Sequence, residues 1–214
     1  MTGLFITIEG PDGAGKTSIL KELFPLLQKV AKVEMIQTRE PGGIPISEKI
    51  REIILDPANA RMDDRTEALL YAASRRQHLI EKVFPALDEG KIVICDRFVD
   101  SSLAYQGAGR KIGMDEIKEI NDFATQGLEP DFTLYLDVDS DTGLRRIMKH
   151  RTEQIDRLDS EGLEFHQRVR HGYLKLVDAY PERIHKINAR KGFEEVLETS
   201  YHTIVNQFPQ FFEN

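Results

Sequence analysis

This 214-residue sequence predicts an α/β fold built on a buried, mostly parallel sheet. Two observations carry that expectation. Short β-branched or otherwise apolar runs alternate with amphipathic stretches along the chain. The first apolar run also leads straight into a glycine-rich loop that opens a helical pattern. The strands are expected at 4–8, 33–37, 92–95 and 132–138, with a weaker fifth at 183–188. Between them, apolar residues recur at helical spacing over 17–30, 47–55, 64–87, 115–127, 141–150 and 161–180, and a last helix runs from 193 to about 208. Residues 56–61 have turn chemistry without periodicity, and 151–157 are polar and lie between two helices. The chain therefore reads as one domain over 1–214 with a second mobile loop, or lid, at about 149–158. Ligands of such folds bind beyond the carboxyl ends of the strands, so the residues just after each strand are the first places to look for chemistry.

Composition removes several classes. The chain is 40% hydrophobic and 30% charged, with 15 glycines and 9 prolines spread along it, which excludes collagen-like and wholly disordered chains. No apolar run approaches the roughly 20 residues of a membrane-spanning helix. Against 29 Lys and Arg stand 36 Asp and Glu, and a net charge of −7 argues against sequence-independent nucleic-acid binding. Cys95 is the single cysteine, so an internal disulfide is impossible and a cytoplasmic location is expected. Set in an apolar run, it reads as a buried structural thiol.

Gly10, Pro11, Asp12, Gly13, Ala14, Gly15, Lys16 and Thr17 match G-x-x-x-x-G-K-[ST], with an apolar run before and a helical pattern after. Glycines there let consecutive backbone N–H groups turn inward on phosphate oxygens, and the helix start adds its positive end. Lys16 can reach the β and γ phosphates, and Thr17 can ligate Mg²⁺ through its hydroxyl. The loop predicts nucleoside triphosphate binding and narrows the fold to a P-loop NTPase-like three-layer sandwich, a five-stranded sheet flanked by helices. No N-K-x-D motif for a guanine base occurs. Asp96, at the end of the third apolar run, is placed to hold the metal through water, and Arg97 follows it. Arg39 follows the second run and Arg51 lies on the next helix. Three arginines at or near strand ends suit an anion pocket, because a guanidinium grips a phosphate bidentately.

These stretches also carry a resemblance. The phosphate loop, Thr38-Arg-Glu-Pro-Gly-Gly43, Ala72-Ala-Ser-Arg-Arg76, Asp96-Arg-Phe98 and Asp100-Ser-Ser-Leu-Ala-Tyr-Gln-Gly107 occur in this order. The set closely resembles bacterial thymidylate kinases, over residues 4 to about 188. The resemblance implies phosphoryl transfer from ATP to dTMP with Mg²⁺, giving dTDP and ADP for dTTP supply. It implies that residues 10–17 with Ser18 bind ATP, that Arg146 packs on adenine, and that Asn188 and Ala189 form the adenine-side loop. Asp12 then stands near the acceptor's 3′-hydroxyl and phosphate, Arg39 (with Glu40 beside it) and Arg97 hold that phosphate, and Arg51 lines the thymine pocket. Tyr71 stands where a Phe often stacks on thymine. Arg75, one turn later on the same helical face, stands where an Arg hydrogen-bonds the base. Ser102 and Gln106 match polar contacts to the base, and Tyr105 matches a residue that disfavours ribonucleotides.

Gly13 lies where one class of the family carries a catalytic arginine. The other class uses basic lid residues, which here points to Arg151 and Arg157. The resemblance further implies a homodimer packed through helices, to which 68–73 and the apolar face of 100–107 could contribute. On the residues alone two alternatives stay open: a deoxynucleoside kinase, which wants a carboxylate base and fewer acceptor arginines, and a nucleotide-dependent switch.

Overall fold

The computed structural model describes residues 3–150, 157, 158 and 161–213. Five strands form one sheet in the order β2-β3-β1-β4-β5, every neighbouring pair parallel. They are β1 (Leu4–Glu9), β2 (Met35–Arg39), β3 (Ile92–Asp96), β4 (Phe132–Asp137) and β5 (Ile184–Asn188). Register places Ile8 beside Asp96, and Asp96 beside Arg39, so the carboxyl ends of the first three strands finish level with one another.

The side-chain period of two divides each central strand between two cores. Ile6, Ile8, Leu134 and Leu136 pack with Leu20 and Leu23 of α1 (Lys16–Val30) and Ile204 of α9 (Phe193–Gln207). On the opposite face Tyr135 meets Val169 and Tyr173 of α8 (Leu163–Ala179), while Phe5 and Val93 meet Leu79, Val83 and Phe98. Helices on both faces make the three layers. The other helices are α2 (Pro45–Leu55), α3 (Asp64–His78), α4 (Phe84–Asp88), α5 (Val99–Ser102), α6 (Met114–Thr125) and α7 (Ser140–His150).

Four expectations are corrected. The second strand lies two residues later than its apolar run, because its last residues, Thr38 and Arg39, are polar. The helix expected over 64–87 is interrupted by a π-helical turn, Leu79–Val83, ahead of Pro85. Proline has no N–H and its ring crowds the carbonyl four residues back, and the wider turn relieves both. Residues 99–109, assigned no helix from sequence, form α5 and a π-helical segment, Leu103–Gly109. That segment does not offer an apolar face: Asp100 to Gly107 are all buried within the chain, as are Ala68 and Ala72.

Candidate active site

The loop after β1 is shaped by positive φ angles that favour glycine: Gly13 at 76° and Gly15, which caps α1, at 88°. A side chain at Gly13 would run into the backbone of Gly143, and a Cβ at Gly143 would lie 2.5 Å from the Asp12 carbonyl oxygen. α7 therefore presses backbone to backbone on the phosphate loop, and Arg146 of the same helix donates to the Gly13 carbonyl at 3.3 Å. Lys16 is buried and donates to the carbonyls of Gly10 (2.7 Å) and Pro11 (2.9 Å). Burial, then the nearby Arg97 charge, lowers its ammonium to about 8.

Beside the loop, Asp12 gathers two donors. Arg97 Nη2 donates to Oδ1 at 2.6 Å, and the Tyr105 hydroxyl donates to Oδ2 at 2.8 Å. Burial alone would raise the Asp12 carboxyl, but Arg97, Lys16 and the Tyr105 hydroxyl outweigh it and hold it at about 2. Arg97 also donates to the Gly10 carbonyl (3.1 Å) and Ser101 Oγ (3.3 Å), and its guanidinium lies 5.1 Å from the centre of the Tyr105 ring. Its φ of 70° is costly for a residue with a side chain, a kind of backbone strain that clusters at functional sites.

Behind this cluster sits a layer that sequence reasoning missed. Glu9, fully buried at the end of β1, accepts from the Phe98 amide (2.6 Å), Ser101 Oγ (2.5 Å) and the Tyr173 hydroxyl (2.8 Å). Burial, then the Asp100 carboxylate, pushes its carboxyl up to about 7. The available signal was a lone acid closing an otherwise uncharged strand.

Thr17 Oγ1 lies 3.3 Å from Asp96 Oδ2 as its donor, while the buried Asp96 Oδ1 has no hydrogen-bond partner among the described residues. A hydroxyl and a carboxylate with a spare, desolvated oxygen are hard donors suited to a divalent cation.

The loop, the cluster and the base-side residues share one cavity of about 760 Å³. Residues 12–18, Arg39, Glu40, Arg51, Tyr71, Arg75, Asp96, Arg97, Ser102, Tyr105, Gln106, Arg146 and Ala189 all line it. Ile147, Lys191 and Phe193, which sequence reasoning did not single out, line its far end. Gly10 and Pro11 do not line it and serve through their carbonyls instead. Arg75 is held rigidly: Nε donates to Glu40 at 2.7 Å, Nη1 to Ser102 at 3.1 Å and to Asn121, and Nη2 to the Phe98 carbonyl at 3.0 Å. Glu40 is itself fixed by His78, whose Nδ1 lies 2.9 Å from Oε1. Arg39 is half exposed and turned onto Glu48, at 2.7 Å, while Arg51 donates to the Pro41 carbonyl at 3.2 Å.

Of the two arginines expected on the lid, the structure describes only Arg157. Arg151 lies outside the described residues. Arg157 does not line the cavity: its buried guanidinium donates to Glu67 and to the Ile54 carbonyl (2.9 Å), and its amide donates to the Leu55 carbonyl. Arg157 is thereby tied to the end of α2 and to α3, because a fully buried carboxylate requires a cation.

Similarity to known proteins agrees with this geometry. The family model described as thymidylate kinase matches residues 8–199. A thymidylate kinase of Enterococcus faecalis is 68% identical over 212 residues, covering 99% of this chain and all of that protein. One from Lacticaseibacillus casei is 59% identical over 213 residues, again covering 99% of this chain and all of the relative. The crystal structure of a thymidylate kinase from Ehrlichia chaffeensis superposes with a TM-score of 0.76 at 32% identity, covering 95% of this chain and 99% of that one. The chain belongs to the thymidylate kinase family.

Proposed function

We propose that the chain transfers the γ-phosphoryl group of ATP to the 5′-phosphate of dTMP. An acceptor phosphate oxygen forms a bond to the γ-phosphorus as the bond to the β,γ-bridging oxygen breaks, yielding dTDP and ADP. One observation carries the reading: a single cavity joins the phosphate loop to Arg97 and to Tyr71, Arg75 and Gln106.

The acceptor phosphate is already anionic, so the reaction needs little base chemistry. It needs two anions held in line with their charge neutralised. Arg97, fixed by Asp12, faces the acceptor phosphate, and Lys16 swings from the loop carbonyls to the β and γ oxygens. Arg39 exchanges Glu48 for the acceptor phosphate, with Arg51 beside it. Tyr71 stacks on the base, Arg75, Ser102 and Gln106 hydrogen-bond it, and Tyr105 closes on the sugar. Thr17 and, through water, Asp96 would hold Mg²⁺, which when bound neutralises charge on the β and γ phosphates. Arg146, Ala189 and Lys191 frame the adenine end.

Gly13 has no room for a side chain against Gly143, which supports placement in the class that takes its catalytic arginine from the lid; Arg151 is the candidate. We further assign the whole chain to one domain with its lid at about 149–158. It works as a homodimer, since Ile46 and Ile53 of α2, Leu69 of α3 and Phe123 of α6 leave apolar surface exposed on neighbouring helices, and its single cysteine suits the cytoplasm. No helix among the described residues is long and apolar enough to cross a membrane.

The test is ADP formation from ATP and Mg²⁺ with dTMP, dCMP, thymidine or no acceptor. Strong preference for dTMP is expected. Activity with thymidine but not dTMP would move the chain to the nucleoside kinases, and acceptor-independent ADP release would make it a switch.

A further inference from the structure

Glu67 of α3 is fully buried and has no place in the phosphoryl-transfer machinery, yet it lies one helical turn before Tyr71. Its Oε1 accepts from Gln106 Nε2 at 2.8 Å, and its Oε2 accepts from Arg110 Nη2 at 3.2 Å and from Arg157. Gln106 is 1% exposed, lies in the π-helical segment Leu103–Gly109 and lines the cavity.

A carboxylate between two guanidinium groups can only accept, so it dictates which end of the Gln106 carboxamide faces it. The NH₂ group must turn to Glu67, and the carbonyl oxygen, which has no hydrogen-bond partner among the described residues, is left for the cavity. A free carboxamide can present either end to a ligand. This one presents an acceptor.

We propose that Glu67 is a positioning residue for base selection. By holding the Gln106 oxygen toward the cavity, it favours a base with a ring N–H donor at that edge, as thymine has at N3, over one with a ring-nitrogen lone pair there, as cytosine has. A buried acceptor facing a lone pair leaves two desolvated acceptors without a proton, and polar mismatches of this kind discriminate far more strongly than a missing methylene. The inference rests on the dTMP reading and adds the source of its pyrimidine preference.

The test compares kcat/KM for dTMP and dCMP in the wild-type protein, Glu67→Gln and Glu67→Asp. The carboxamide introduced by Glu67→Gln can donate as well as accept, so Gln106 is free to turn over. The dTMP-to-dCMP ratio is expected to fall by about tenfold or more, with the change in KM for the two acceptors in opposite directions. Glu67→Asp still only accepts and should keep the ratio within a few-fold. Equal losses for both acceptors in Glu67→Gln, leaving the ratio unchanged, would show a purely structural carboxylate and overturn the proposal.

A second measurement needs no variant that folds. In the ¹⁵N-labelled wild-type chain with dTMP, the Gln106 side-chain NH₂ should be protected from solvent exchange by its bond to Glu67; exchange as fast as in an exposed glutamine would overturn the proposal. A wild-type protein inactive toward dTMP would instead defeat the functional reading, and this inference with it.

Discussion

Asp12 and Arg97 act as a pair whose stability the folded protein shares. The folded carboxyl is held at about 2, below its ordinary value of 3.8, so its ionised form is favoured by folding. That contribution is fully present above about pH 4 and is lost as pH falls through about 2, because only the unfolded chain takes up the proton in between. With side chains only 13% and 22% exposed, the pair is little screened. Asp12→Asn should therefore lose about 2 kcal/mol at pH 7, a deficit that shrinks between pH 4 and 2 in urea unfolding. Arg97 carries a different burden, since its strained φ is tolerated for where it puts the guanidinium. Arg97→Ala should lower the single-turnover rate with dTMP by about 10²–10³ while leaving the Kd for ATP within a few-fold. A comparable loss of ATP affinity would place Arg97 at the donor instead.

Elements explain why part of the site was legible in the sequence and part was not. The phosphate loop was legible because its glycines, lysine and threonine have fixed spacing between a strand and a helix, and each has a backbone reason to be there. Arg39, Asp96 and Arg97 were legible because they sit at strand ends. Tyr105 and Gln106 were legible through the motif they belong to, but the helical form of Leu103–Gly109 was not, since the segment buries them beside Ala104 and Leu103 and so shows neither helical amphipathicity nor strand alternation. Arg157 was misplaced for a related reason: an arginine in a polar stretch looks solvated until the fold brings it a buried partner. Arg157→Ala should destabilise the protein by about 3–5 kcal/mol, read by urea unfolding. Unchanged stability with a slowed chemical step would return Arg157 to the phosphates. The close approach of α7 to the phosphate loop makes its own prediction. Gly143→Ala, at a backbone conformation any residue can adopt, should push the helix off Asp12, raising KM for ATP and costing about 1–3 kcal/mol. An unaltered KM would show that α7 and the loop move independently.

The whole molecule places these parts through its strand order. β1 lies at the centre, the chain crosses to β3 and β2 on one side and to β4 and β5 on the other, and the crevice between the halves opens beyond the carboxyl ends. Open α/β sheets bind ligands at such a switch point. The phosphate loop, the Asp96–Arg97 corner and the Ala189 loop follow β1, β3 and β5, so their residues line one crevice. Leu69→Glu should convert a dimer to a monomer in sedimentation velocity, and a wild-type chain that sediments as a monomer at micromolar concentration would remove that assignment. Transfer itself is followed most directly with ATP labelled on the γ-phosphate, mixed with Mg²⁺ and dTMP in a single turnover. The label should appear on dTDP at the rate ADP forms, with little released as inorganic phosphate. Label released as phosphate at the same rate with or without dTMP would contradict a cavity built to join two nucleotides.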